Sequence, residues 1–550
     1  MYQPIINNSA RQKGDYLNNW RGINRKEYAR ENEFSAMSNL SSDKYPYISV
    51  RRRRITDNTL ASENGVVYAD GKYASHIKYF GDDCIVNFNK NILHTSDVTY
   101  YDYVHDESGK MFGKYVNKKE IKINGYIRAD TAYSLTFTDK TPSREWDEFL
   151  KVGDRIEISG TGNEYIDTIG VDVDLFDLNE YLPVTCIVEG FQYEEDDDDI
   201  ERCVRINVNF YNKNGKRLKE DKLFNETYKE VTVKKVVPSL ADICVYNNRV
   251  FGVDKKGGTI YASALGSYGD WFRYDGLSTD SWYGEVGEDG EFTGIAECGG
   301  SIIAFKKDYI YKIYGDTAKN FTIQKISSNG CIDKRSIVEL NGRLYFLNCN
   351  GFCVYSGGYP TVISDVLGKT YTEAIGGTDG RKLYFYATAS NGEKELVVYD
   401  TMLDMWHIED GTDEVKGYFR YNGGAYFIGA DDVVYKYDCD DYRDVDWSFT
   451  TPENNMLGMN YTKLSDVVIF ATTEVPDCQC QMKVEVICDG ESKSVDCGNF
   501  LLVPGKTQRI PIRLRSCFAY TLKVSGTGPV IIKGIEKVFT SGGRNEGNRG

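Results

Sequence analysis

The chain has 550 residues, and no run in it approaches the ~18 consecutive apolar residues of a membrane-spanning helix. Its opening residues, Met1-Tyr2-Gln3-Pro4-Ile5-Ile6, lack the basic-then-apolar pattern of an export signal, so a soluble chain made in the cytoplasm is expected. Histidine is nearly absent: His76, His94, His105 and His407 are the four, with no motif around any of them. No H-E-x-x-H, G-x-S-x-G or P-loop pattern occurs, so metalloprotease, serine-hydrolase and nucleotide-phosphate chemistry have no sequence support. Asp172-Val173-Asp174 begins like a calcium loop but lacks its glycine and terminal glutamate. The 14 cysteines fall well below disulfide-scaffold density, and reduced, mostly buried thiols are expected. Cys349 with Cys353, and Cys478, Cys480, Cys488 and Cys497, do not form paired C-x₂₋₄-C knuckles, so buried strand cysteines are favoured over zinc. The expectation is a protein with no catalytic site, cofactor or metal.

What is abundant points to β structure. There are 42 Tyr and 53 Gly against 11 Pro and 8 Met. Tyrosine suits half-exposed strand faces, and glycine at this frequency suits many tight turns. Lys and Arg number 66 against 82 Asp and Glu, a net charge of −16. Such a chain is no general polyanion binder, although an acidic wall also suits a conduit that lets DNA pass without gripping it.

A repeat of about 40 residues organises the middle of the chain. Each copy has a Gly or Asn turn, an aromatic-rich strand, a second turn and another strand. Copies run from Gly71-Lys72-Tyr73 to Phe88, Asn248 to Ala262, Gly300 to Tyr311, Asn341 to Tyr355, Gly380 to Tyr399 and Asn422 to Tyr437. Ala304 to Tyr345 is 41 residues, Tyr345 to Tyr384 is 39, and Tyr384 to Tyr426 is 42. That period is expected of a four-stranded propeller blade, with a sandwich array as the alternative.

The expected fold is therefore all-β: a propeller of about six blades (residues 55–99 and 238–440), interrupted by an inserted β-barrel or sandwich (100–237). A C-terminal β-sandwich (447–540) and a flexible tail (541–550) follow. The six carboxylates from Glu194 to Asp199 read as an exposed loop. Trp271, Trp282 and Trp406 lie in or between blades and read as packing residues rather than as a sugar platform. Residues 1–54 read as an extended arm ordered by lying on another surface, ending in Arg51, Arg52, Arg53 and Arg54. In so acidic a protein these arginines are expected to clamp carboxylates of a neighbouring subunit or domain, with a nucleic-acid patch as the alternative.

Several stretches resemble the propeller portion of bacteriophage neck and tail proteins of the tail-accessory, packaged-DNA-stabilisation or nozzle type. They are GSIIAFKKDYIYKIYG from Gly300, NGCIDKRSIVELNGRLYFLNCNGFCVYSGGYPTVISD to Asp365, and NNRVFGVDKKGGTIYASALGSYGDW from Asn247. The lead MSNLSSDKYPYISVRRRR and the C-terminal IPIRLRSCFAYTLKVSGTGPVIIKGIE are similar to the same group. The resemblance implies a non-enzymatic virion protein forming an oligomeric ring, often sixfold, below a portal and adaptor. Such a ring extends the DNA channel and retains or guides the genome, which passes the lumen without specific binding. Residues 100–237 match nothing in that group, and a tail protein that binds a host-surface glycan or protein receptor is the alternative.

Overall fold

The computed structural model describes residues 13–26, 29–51, 53–111, 114–117, 121–124, 133–137, 150, 152–159, 185–195, 201–211, 226–228, 231–409, 414–438, 445–455, 462–475, 480–488, 494–517 and 519–541. Asp172–Asp174, Asp196–Asp199, Arg52, Cys478 and the expected tail from 542 onward lie outside them. Among the described residues the chain is all-β, with many four-stranded antiparallel sheets. It divides into two compact units, residues 1–77 with 332–550, and residues 78–331.

Seven small sheets are antiparallel meanders. In the second unit, sheet II holds Tyr79–Phe80, Asp83–Phe88, Asn91–His94, Thr99–Asp102 and Glu107–Lys110. Sheet III holds Leu240–Tyr246, Arg249–Asp254, Thr259–Ala262 and Trp282–Glu285, and sheet IV runs from Phe292–Cys298 to Thr322–Ser327. In the first unit, sheet V runs from Val338–Leu340 to Thr361–Val362, and sheet VI from Tyr371–Thr378 to Met405–Glu409. Sheet VII joins Val415–Tyr421, Gly424–Gly429 and Val434–Asp438 to Arg53–Thr56, a strand drawn from the far end of the chain. Sheet I has three strands, Leu60–Glu63, Val66–Ala69 and Lys72–His76.

The repeat is visible in these sheets. Ala304, Tyr345, Tyr384 and Tyr426 all fall on the second strand of their meander. First and second strands are joined by two-residue turns with both φ positive at Asn247-Asn248, Gly299-Gly300, Asn341-Gly342 and Asn422-Gly423. That geometry matches strand twist and is accessible to Asn and Gly. The early copy is different: Lys72–His76 belongs to sheet I and Asp83–Phe88 to sheet II. Sheet I runs the opposite way, since its last strand, not its first, packs on Val415–Tyr421 of sheet VII. One sequence copy therefore spans the end of one sheet and the start of the next.

Successive sheets within a unit pack first strand to first strand, Leu240–Tyr246 on Phe292–Cys298 and Tyr371–Thr378 on Val415–Tyr421. Close approach requires missing side chains. A Cβ on Gly377 would lie 2.1 Å from Cβ of Tyr418, and one on Gly376 would lie 2.5 Å from Val338. Successive residues of a strand face opposite sides, so this glycine pair admits the preceding sheet on one face and the following sheet on the other.

Residues 100–102 and 107–110, expected in the insertion, instead pair within sheet II. The separate sheet of the insertion starts at Lys114. Its order is Lys114–Asn117, Val231–Lys235, Arg155–Ser159, Thr185–Glu195, Glu201–Tyr211, Tyr133–Phe137, Ile121–Asn124 and Glu226–Tyr228. Lys114–Asn117 pairs Val231–Lys235, and Ile121–Asn124 pairs Glu226–Tyr228. Both ladders are antiparallel.

The C-terminal region forms two six-stranded sheets sharing one core. One holds Thr462–Thr472, Gln508–Cys517 and Ile531–Ser541; the other holds Asp446–Thr450, Cys480–Cys488, Ser494–Leu502 and Ala519–Thr527. Alternation is strict in Cys480–Cys488, where Cys480, Met482, Val484, Val486 and Cys488 point inward and are buried. Gly377→Ala is expected to cost about 1–3 kcal/mol, since an overpacked contact must displace the backbone of two sheets. Chemical denaturation measures this, and an unchanged midpoint would mean the sheets do not approach as described.

Candidate functional site

The feature that gathers most chemistry is the N-terminal segment. It does not project from the fold, because short strands tie it to both C-terminal sheets of its own chain. Lys13–Leu17 pairs Ile535–Phe539, Ala36–Ser38 pairs Ser448–Thr450, and Ile48-Ser49 pairs Ile531-Ile532. Between them the segment crosses sheet VI and the 3₁₀ turn Asp365–Leu367 that follows sheet V. Ile23 N donates to Trp406 O at 2.9 Å, and Arg25 N to Val366 O at 2.9 Å. Trp20, Ile23, Phe34, Met37 and Leu40 are buried in one cluster with Phe385, Trp406, Val484 and Ile532, so this strap joins the sheet pair to the meanders. Gly22 sits at φ 79°, and a Cβ there would strike Trp406 O at 2.0 Å.

Two buried carboxylates latch the strap. Glu395, 6 % exposed, takes a two-pronged contact from the Arg25 guanidinium at 3.2 Å, together with Lys369 and the Tyr371 hydroxyl. Asp400, fully buried, accepts from Ser42 Oγ at 2.7 Å and Arg381 Nη2 at 2.6 Å. Burial alone would raise the Asp400 pKa. The hydrogen bonds from Arg381 and Ser42, with the charges of Arg381 and Lys382, outweigh it and hold the carboxyl below its ordinary range. Lys382, itself buried, reaches Asp43 at 2.7 Å and Ser41 at 3.2 Å. Lys537, 1 % exposed, reaches Glu31 at 3.0 Å.

Comparable buried groups fasten neighbouring meanders. In the second unit, Asp242 accepts from Tyr79 Oη of sheet II at 3.0 Å and from Ile295 N of sheet IV at 2.7 Å. In the first unit, Asp333 accepts from Ala374 N of sheet VI at 3.1 Å. Both carboxylates reach a backbone N–H on the first strand of a following sheet, Asp242 from the first strand of sheet III and Asp333 from the 3₁₀ turn that precedes sheet V. Arg249, almost wholly buried, donates to the carbonyls of Ser263 and Ser278 at 2.7 Å and so pins the long connection between the last two strands of sheet III. These fastenings were not recognised from sequence. For Asp242 a signal was present, a carboxylate set inside the otherwise apolar strand run Leu240–Val245.

Arg51 and Arg54 do not share one patch. Arg51 is buried and donates its N–H to Asn39 O at 2.8 Å, while Arg54 lies over the Tyr435 ring at 4.9 Å from its centroid. Arg53 and Arg54 are in register with Asp438 and Tyr437 in the outer strand of sheet VII, so the segment expected to end at 54 is already part of a meander there. The aromatic candidates pack inward. Trp271 and Trp406 are buried and donate to Tyr268 O at 2.9 Å and Ile363 O at 2.8 Å, and Trp282 lies edge-on to Phe321.

The histidines stand apart: His94 contacts Asp83, His105 contacts Asp102, His76 contacts Tyr73 and buried His407 contacts Glu409. Cys353, Cys480 and Cys488 are buried and Cys349 is exposed. Among the described residues, no three His, Cys, Asp or Glu side chains are grouped to hold a metal ion, and no helix is long and apolar enough to cross a membrane.

No family model matches the chain, and no curated protein does. Distant likeness is found to solved structures. Exo-β-1,3-galactanase from Phanerochaete chrysosporium aligns over 53% of this chain and 95% of its own, at 9% identity and a TM-score of 0.22. The dihydro-heme d1 dehydrogenase NirN aligns over 72% and 73%, at 10% identity and 0.26. The Nup133 β-propeller domain of Vanderwaltozyma polyspora aligns over 42% and 88%, at 10% identity and 0.20. Likeness at these scores carries no weight for function.

Asp400→Asn is expected to destabilise the chain by about 1–3 kcal/mol and to speed amide exchange through residues 36–50. Because the folded carboxyl titrates below the unfolded value of about 3.9, its contribution is present above that pH and fades as pH falls through the folded value. Stability of the parent should therefore fall more steeply than that of the variant below about pH 4, as hydrogen exchange and acid titration will read; parallel acid profiles would remove Asp400 from the latch. Glu395→Ala takes the carboxylate from Arg25 and leaves Lys369 with Glu393, and should cost about 3–5 kcal/mol, measured by denaturant unfolding.

Proposed function

We propose that this protein is a structural component of a tailed-phage virion at the neck or tail, working as an oligomeric ring that extends the DNA channel. In this reading the seven meanders are the blades of one propeller, one more than the approximate six expected from the repeat. Arg53–Thr56 supplies the outer strand of the last blade, the eight-stranded sheet is an inserted barrel, and the C-terminal sheet pair is a sandwich. The observation that carries the proposal is the use made of buried charge. Glu395, Asp400, Asp242, Asp333 and Arg249 each end on another element of the same chain. That is the arrangement of a scaffold that must transmit force without separating its parts. The net charge of −16 agrees with a wall that repels DNA and leaves it mobile. The sequence resemblance to neck and tail propellers supplies the setting, with portal, adaptor or other tail proteins as partners.

Immunogold labelling of particles with an antibody to this chain tests the reading. Label at the neck or upper tail is expected; label at the distal tip, or none on disrupted particles, would overturn it. For ring assembly, the double variant Arg52→Ala/Arg53→Ala leaves Arg51 and Arg54 in place. It should lower the ring fraction in sedimentation velocity, and an unaltered ring would remove these arginines from the contact between subunits.

A further inference from the structure

The solvent-facing side of one C-terminal sheet carries a groove of about 420 Å³ whose floor is built from five strands. Ser38 is in register with Ser448, Ser448 with Ser525, Ser525 with Lys483, and Lys483 with Asn499. This single cross-strand row spans about 19 Å at the usual strand spacing. A parallel row of Asp446, Thr527 and Gln481 forms one wall. The small serines make the floor concave, and the longer side chains rise at its edges.

The end of the groove holds a second, independent feature. Asn39, 8 % exposed, lines it at a left-handed turn (φ 60°) between two strap strands. Its Nδ2 donates to Asp446 O, while its Oδ1 has no donor among the described residues. A buried carbonyl oxygen left so is costly unless something donates to it. We propose that the groove, with Asn39 at its end, is a binding site for a neutral saccharide chain.

The chemistry of the lining selects that class. Serine, threonine, asparagine and glutamine both donate and accept, as sugar hydroxyls do. Lys483 and Asp446 bring one charge of each sign, so the lining has no net charge to attract an ionic ligand. No aromatic ring is exposed on the floor row, which leaves a nucleobase without a stacking partner. A peptide adding a strand needs a sheet edge, whereas this is a sheet face. Recognition by hydroxyls and amides alone is weak per site and gains from many copies, as on a ring. The site stands whether or not the protein belongs to a phage neck.

Native electrophoresis of the full chain through gels containing dextran, laminarin, galactomannan or xylan tests it, with alginate as the anionic control. Retardation by at least one neutral polymer is expected, with mobility at least halved at the highest concentration. Ser525→Trp, which places a large ring on the outward face of the floor, should abolish the retardation while leaving the thermal midpoint within a degree or two. Gln481→Ala/Asn499→Ala, at the wall and far end, should weaken it several-fold. Free migration in all four neutral gels would overturn the proposal. So would retardation confined to alginate, or retardation unchanged in Ser525→Trp.

Discussion

A four-stranded meander has two faces rich in apolar side chains, and neither can be left to water. In sheet VI, strand Lys382–Ala389 is buried at seven of its eight positions and Met405–Glu409 at all five. Covering both faces requires another layer on each side, and the first unit supplies three. Sheet V lies against Gly376, sheet VII against Gly377, and the strap against Trp406 and Ile408. The other arrangements in this unit follow from that need. Backbones must come close, so glycine stands where a Cβ would collide. Polar groups trapped between layers must be paired, so a carboxylate reaches across to a backbone N–H.

The strap extends the same logic to the C-terminal sheets. Strands of two to five residues cannot hold themselves, and their apolar content is small. They persist because each hydrogen-bonds to an edge that would otherwise be bare, and because Trp20, Ile23, Phe34, Met37 and Leu40 fill a seam between sheets. The ionic latches add specificity of position more than raw stability. A desolvated pair repays its hydration only when the geometry is good and the remaining lone pairs are met. Asp400 meets that condition, with two backbone N–H groups, Met402 and Leu403, beside Ser42 and Arg381. Removing one partner is therefore far more damaging than never having had the pair.

These interactions explain what could be read from the sequence. The Asn-Gly turns were legible because both residues need positive φ, and the 40-residue period because it recurs at Ala304, Tyr345, Tyr384 and Tyr426 on equivalent strands. Sheet I was not, because its strands run in the reverse sense and break one copy across two sheets. The strap was not, because strands this short show no period and their partners are some 400 to 500 residues away. The arginine run read as a single patch. Extended backbone sends neighbours to opposite sides, so Arg51 enters the interior while Arg54 lies on a ring in sheet VII. The outward alternation of Lys483 and Glu485 within Cys480–Cys488 was visible, but the groove was not, since its floor takes one residue from each of five distant strands.

The placement of charge separates inside from outside in a way composition cannot. The interior pairs several charges with the opposite sign, as Glu395 and Glu393 with Arg25 and Lys369, or Asp400 with Arg381. Paired sets contribute nothing to net charge, so the excess of acids must reside largely where partners are absent or wet. A surface biased in this way repels its own copies at long range. Any ring built from such chains must then be held by short-range contacts strong enough to overcome that repulsion, and would tighten as salt screens it over a Debye length of about 8–10 Å. For a conduit the same bias has an opposite value on its inner wall, where repulsion keeps a polyanion from sticking. Surface cations such as Lys26, Lys44 and Lys394 each sit beside a carboxylate, so they soften that bias locally without reversing it.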